Sequence, residues 1–223
     1  MSAVRVGVIG HPVAQSLSPR IHAAWIKQYG LDGFYTAEDI APDSLKAGIE
    51  NLIAQGFAGF NVTIPHKVAV MELCATLDAS AQAVGAVNTV VIKNGALHGS
   101  NTDAFGFVEN LRETIPDFNF AAQSALILGA GGAARAAIHG LLQSGVRSIY
   151  AANRSAAKLD DIKRDFPAVS CVSWDDRELK LQQTTLLVNT TSLGMTGQSP
   201  LEMSLENLPQ EAVMYDIVYK PLM

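Results

Sequence analysis

Cysteine is scarce in this chain: Cys74 and Cys171 stand far apart in apolar surroundings, with no CxxC pair. A disulfide framework or a thiolate zinc site is therefore not expected, and the usage suits a reducing compartment. Long apolar runs are missing as well. The run Val6 to Ile9, preceded only by Arg5, is too short for a signal-peptide core, and no stretch of roughly 18 predominantly apolar residues occurs. These absences predict a soluble, cytoplasmic protein with no membrane partner. Positive charge is not in excess either, with 16 Lys and Arg against 21 Asp and Glu and a formal charge of −5. Nucleic-acid-binding modules usually carry a basic excess, so no nucleic-acid partner is expected and any anion must be held by a local site. Histidines 11, 22, 66, 98 and 139 show no HExxH or comparable spacing, which leaves metal catalysis without support.

What is present reads as a globular α/β chain, since 48% of the 223 residues are hydrophobic and 17% charged. In the first half, Val4 to Ile9 and Phe34 to Asp39 read as strands, separated by a helix from Pro19 to Tyr29 with Ile21, Ala24, Trp25 and Gln28 at helical spacing. A helix from Asp43 to Gln55 precedes a strand from Gly59 to Ile64. Pro65 is expected to stop that strand and to open another helix at its first position. Asn94-Gly95 between Asn88 to Lys93 and Ala96 to Asn101 signals a hairpin, so this half should form a mixed sheet. Periodicity fails between Arg112 and Gln123, which suits a domain boundary. The predicted domains are residues 1–115, binding substrate, and 116–223, binding nucleotide. In the second half, strands at Ala125 to Leu128, Ser148 to Ala152, Ser170 to Ser173, Thr185 to Asn189 and Ala212 to Asp216, the last three read as buried, predict a parallel doubly wound, Rossmann-type sheet.

Gly129-Ala130-Gly131-Gly132-Ala133-Ala134 follows the first strand of that half and opens a helix, the context that makes a glycine match informative. Gly129 suits the tight turn, Gly131 the approach of a pyrophosphate, and Ala134 close helix–strand packing. The second strand leads into Asn153-Arg154-Ser155, where NAD-binding proteins place a carboxylate for the ribose hydroxyls. Arg154 can instead clamp a 2′-phosphate with its planar fork, and Lys158 adds charge, so the expected cofactor is NADP.

Three polar segments mark the first half. Ser16 and Ser18 flank a helix start, with Ser18 as the expected N-cap, and could hold a carboxylate. Asn61 and Thr63 share one face of their strand, and Lys67 falls in the first turn of the helix expected after Pro65. A cation there opposes the helix dipole by about 0.3 to 1 kcal/mol, which makes Lys67 a candidate acid/base. Asn88 opens the hairpin, and Asn101-Thr102-Asp103 closes it with Asp103 at a helix start. Serine pair, lysine and aspartate each follow a strand, and such strand ends share one sheet edge where ligands bind.

The segments SLSP (16–19), NVTIPHK (61–67), GAVNT (85–89), NTD (101–103), GAGGAARA (129–136), NRS (153–155), NTTSLGM (189–195) and YDIVY (215–219) resemble, in order, the shikimate dehydrogenases. The resemblance implies reversible reduction of 3-dehydroshikimate to shikimate with NADPH, in the pathway to aromatic amino acids. It implies that Ser16 and Ser18 bind the substrate carboxylate and that Asn61, Thr63, Asn88 and Asp103 bind ring hydroxyls. Lys67 would transfer the proton with Asp103 beside it, Thr191, Ser192 and Ile217 would line the cofactor path, and Tyr219 would approach substrate. The family continues past the position of Met223 with a further strand, a substrate-contacting glutamine and returning helices, so a fragment is expected. The alternatives are a quinate/shikimate dehydrogenase using NAD or a catalytically impaired NADP-binding fragment, as monomer or homodimer.

Overall fold

A computed structural model describes residues 3–221. Leu222 and Met223 lie outside the described residues. The chain divides into two compact units, residues 1–102 and 103–223.

The first unit runs β1 (Val4–Gly10), α1 (Ser18–Gln28), β2 (Gly33–Asp39), α2 (Leu45–Ala54), β3 (Phe57–Val62), β4 (Thr76–Leu77), α3 (Ala79–Val84), β5 (Thr89–Lys93) and β6 (Ala96–Ser100). Its sheet has the order β2-β1-β3-β5-β6-β4. Strands β1, β2 and β3 are parallel, and β5 is antiparallel to both β3 and β6. The expected mixed sheet is therefore present. At the hairpin turn Asn94 and Gly95 have φ of 52° and 77°, the pair of positive angles that a type I′ turn requires. Ile9, Ile49, Leu52, Phe60, Val62 and Val90 fill the core under α2. On the opposite face Val8, Val13 and Tyr35 form a small cluster with Ile26 of α1. The stripe read from α1 is not its packed face, since Ile21 and Trp25 are 44% and 50% exposed.

Two local expectations fail in this unit, both at ligand-type segments. No α-helix begins at Pro65; residues 64–68 form a turn followed by a 3-10 helix, Ala69–Leu73. The Lys67 carbonyl accepts from the Val87 amide at 2.7 Å, while Met71 N–H turns to the Val68 carbonyl, so the ladder of an α-helix cannot start. The helix-dipole argument for Lys67 loses its helix. Ser18 is likewise not an N-cap: Leu17 already has helical angles and holds that place without a side-chain cap. Ser16 Oγ instead accepts from Ser18 N–H at 3.3 Å.

The second unit runs α4 (Asp103–Thr114), β7 (Ser124–Leu128), α5 (Gly132–Gln143), β8 (Ser148–Asn153), α6 (Ala156–Asp165), β9 (Ser170–Ser173), β10 (Leu186–Asn189) and β11 (Val213–Asp216). Its five strands are all parallel in the order β11-β10-β7-β8-β9. This is the doubly wound arrangement read from the sequence. The division lies ahead of the 115/116 boundary suggested by lost periodicity, because α4 packs on α5. Phe107, Val108 and Leu111 join Ile138, Leu141 and Phe120 in one core. Gly140 allows the contact, since a Cβ there would lie 2.8 Å from Val108 Cγ2 and 3.0 Å from the Ala104 carbonyl. Strands β9 and β11 were expected to be buried, yet as sheet edges each buries at most one side, and Met214 is 60% exposed. No helix among the described residues is long and apolar enough to cross a membrane.

Candidate active site

In the first unit the functional segments meet at the carboxyl edge of the three parallel strands. Register places Asn61 opposite Thr89 and Thr89 opposite Ser100, so the start of β5 and the end of β6 reach the edge where β3 ends. Gly10 closes β1 there, and a Cβ on it would lie 2.5 Å from Thr63 Cγ2. Only a residue without a side chain lets the Thr63 segment come this close.

A chain of hydrogen bonds crosses that edge. Asn61 Nδ2 donates to the Asn88 carbonyl at 3.3 Å and to Thr89 Oγ1 at 3.1 Å. Thr89 Oγ1 donates to Asn88 Oδ1 at 2.9 Å. Asn88 Nδ2 donates to Thr102 Oγ1 at 2.8 Å, and Thr102 N–H returns a bond to Asn88 Oδ1 at 3.1 Å. Buried Asn88 thus holds the residue immediately before Asp103 by two bonds. The Lys67 turn is tied to the same place through the Val87 amide, one residue from Asn88. Asp78 caps α3 through Ala81 N–H, and its carboxylate accepts from Ser80 Oγ, which accepts in turn from Asn101 N–H at 3.0 Å. Asn61, Asn88 and the Lys67 backbone are therefore joined by short links within one unit.

Three residues that sequence reading passed over belong to this cluster. Tyr35 donates its hydroxyl to Asn61 Oδ1 at 2.7 Å. Burial pushes its phenol up to about 12, against a smaller downward pull from Ser18, so the hydroxyl keeps its proton at neutral pH. His22 stacks on the Tyr35 ring at 4.0 Å and 14° and donates Nδ1–H to the Ser18 carbonyl at 2.9 Å. His66, next to Lys67 in the same turn, is 1% exposed and donates Nε2–H to the Ile40 carbonyl at 2.6 Å. Helical spacing from Ser18 to His22 was visible; pairing Tyr35 with Asn61 required the tertiary fold.

In the second unit the glycine loop sits where β7, β8 and β10 end. Gly129 has φ of +119°, and a Cβ on it would lie 2.5 Å from Thr190 Oγ1. Thr190 Oγ1 donates to the Leu128 carbonyl at 2.6 Å, and Gly129 N–H to the Ala152 carbonyl at 2.8 Å. Gly131 is the N-cap of α5, and a Cβ there would meet nothing within 4 Å, so the loop keeps open space before the helix start. Ala134 is fully buried, as close helix–strand packing requires. Ala130 is buried and Ala133 half-buried. These features fit a dinucleotide pyrophosphate at the free N–H groups of Gly132 and Ala133.

Exposed Arg154 follows the end of β8 and borders a groove of about 520 Å³ with Lys163, Ser173 and Trp174. Ser155 caps α6 by accepting from Lys158 N–H, and Asn153 Nδ2 donates to the Ser155 carbonyl at 3.2 Å. Both therefore shape the loop that presents Arg154. Asn189, another residue sequence reading had not singled out, accepts from Thr191 N–H and Oγ1 and donates to Asp216 Oδ1 at 3.1 Å. Its carbonyl accepts from Ile217 N–H, so one side chain and its backbone set the two loops carrying Thr191, Ser192 and Ile217. Tyr219 is 49% exposed beyond β11.

A doubly wound sheet whose glycine turn opens a helix, with arginine where an acidic residue would select NAD, defines the second unit as that of an NADP-dependent dehydrogenase. Comparison with known proteins narrows the class. Residues 8–90 match the shikimate dehydrogenase substrate binding domain, and residues 110–219 match the shikimate/quinate 5-dehydrogenase domain. The NADP(+) shikimate dehydrogenase of Paramagnetospirillum magneticum is 48% identical over 97% of this chain and 79% of its own length. The shikimate dehydrogenase crystal structure from Aquifex aeolicus superposes with a TM-score of 0.87 at 36% identity, covering 98% of this chain and 80% of that one. One from Thermus thermophilus, in complex with NADP(H) and shikimate, gives 0.84 at 36% identity over the same shares. The chain belongs to the shikimate dehydrogenase family.

Proposed function

We propose that the activity of this chain, the reversible NADP-dependent reduction of 3-dehydroshikimate to shikimate, is carried by Lys67 and Asp103, with substrate held by the polar edge of the first unit. The observation that carries this reading is the linkage of Asn61, Asn88 and the Lys67 turn at one sheet edge. Bound NADPH supplies the hydride. Lys67 gives a proton to the carbonyl oxygen during reduction and takes it back during oxidation, a role typically worth ~10² to 10⁴-fold in rate. Ser16 and Ser18 supply hydroxyls for the carboxylate, and Thr63, Asn61, Asn88 and Asp103 serve the ring hydroxyls. Asn88 also holds Thr102, which fixes where Asp103 begins α4. Tyr219 approaches the substrate, whereas Thr191, Ser192 and Ile217 line the cofactor path. Residues 1–115 would bind substrate and 116–223 would bind NADP, with α4 attached to the nucleotide unit by its packing.

The test is Lys67→Ala assayed for shikimate oxidation with NADP. Turnover should fall ~10² to 10⁴-fold while the shikimate KM changes little. Near-normal turnover would remove Lys67 from the chemistry.

A further inference from the structure

We propose that Tyr35 is a positioning residue of the substrate site, setting the Asn61 amide and packing through His22 beside Ser18; the inference rests on the reading that Asn61 and Ser18 meet substrate. The geometry fixes the direction of each hydrogen bond. Asn61 Nδ2 faces a carbonyl, that of Asn88, so the nitrogen side of the amide is assigned and Oδ1 faces Tyr35. Oδ1 can only accept, hence the single phenolic proton goes to Asn61. A chain of hydrogen bonds therefore runs from Tyr35 through Asn61 to the Asn88 carbonyl.

The Tyr35 ring is held from the side as well. Tyr35 is 8% exposed within the cluster of Val8 and Val13. His22 stacks on its ring and bonds the Ser18 carbonyl. The phenol cannot swing away without breaking the α1 contact, so α1 and β3 are adjusted to each other through this one side chain. Its hydrogen bond involves neither the glycine loop nor Lys67. Loss of the hydroxyl should therefore affect the binding of shikimate and leave proton transfer and NADP alone.

Tyr35→Phe keeps the ring in its packed place and removes only the oxygen. One hydrogen bond is lost, which predicts a rise of about fivefold in the shikimate KM. Turnover and the NADP KM should stay within about threefold of wild type. Asn61→Ala and Ser18→Ala are measured alongside, and Tyr35→Phe placed in the Asn61→Ala background should add clearly less than its effect in wild type, because the two share a bond. If Ser18→Ala and Asn61→Ala each raise the KM and Tyr35→Phe does not, the proposal is overturned while the site reading stands. If neither single variant changes the KM, the site reading falls and the proposal with it. Equal losses in KM, turnover and NADP binding, or full additivity with Asn61→Ala, would make Tyr35 a merely structural residue and also overturn the proposal.

Discussion

Two glycines of one loop should respond oppositely to the same methyl group. Gly129→Ala places a side chain at φ of +119°, a conformation that costs a residue with a Cβ about 1 to 3 kcal/mol. The new Cβ would stand 2.5 Å from Thr190 Oγ1, so that hydroxyl must leave the Leu128 carbonyl, at a further cost of about 1 kcal/mol. The sum, about 2 to 4 kcal/mol, is a large share of the ~5 to 15 kcal/mol that holds a typical domain together. Gly131→Ala meets nothing within 4 Å and has an ordinary φ of −87°, so the free protein should keep its stability or gain up to ~1 kcal/mol. Its effect should appear only with the nucleotide, whose pyrophosphate would occupy the same space, as a rise in the NADP Kd of about tenfold or more. Urea unfolding measures the first difference, followed by Trp174 fluorescence in a Trp25→Phe background so that the second unit is read alone. Calorimetric titration measures the second. A Gly131→Ala protein that binds NADP normally would show that the loop does not seat the pyrophosphate. A Gly129→Ala protein of unchanged stability would refute the steric argument itself.

Two further outcomes are expected. Arg154→Ala should weaken NADP by ~1.5 to 3 kcal/mol and NAD far less, because the lost bonds are charge-assisted contacts to the 2′-phosphate; equal losses in calorimetric titrations of both cofactors would refute that role. Asp165 joins α6 to buried Arg135 of α5. Burial alone pushes its carboxyl up, but hydrogen bonds and charges from Arg135 and Arg164 outweigh that and hold it below the ordinary value of 3.8. A folded-state value lower than the unfolded one means that the stabilisation is present at neutral pH and is lost as the pH falls through the acid range. Asp165→Asn should therefore cost ~1 to 3 kcal/mol at pH 7, and the difference from wild type should shrink towards pH 3 in urea titrations at both values.

The sequence by itself determined the class, the parallel sheet of the second unit and its glycine loop, because these depend on local rules. Short apolar runs form strands, Asn94-Gly95 supplies the two positive φ angles of its turn, and Gly129 is required by the positive φ of the strand-to-helix turn. The site residues were legible only as segments. Ser16, Asn61, Lys67, Asn88 and Asp103 stood out as polar groups at strand ends, but nothing local stated which of them would touch. Tertiary structure decided that, and it overrode local preference where long-range hydrogen bonds competed with helix formation. The Val87 amide took the Lys67 carbonyl and left a turn where proline had suggested a helix. Leu17 took the cap position expected for Ser18, whose carbonyl accepts from His22 instead. Edge strands β9 and β11 read as buried because exposure depends on the position of a strand in its sheet, which its own residues do not encode. Helix α4 joined the second unit for a similar reason: its apolar face fits the gap at Gly140, and only the packed chain brings that glycine to it.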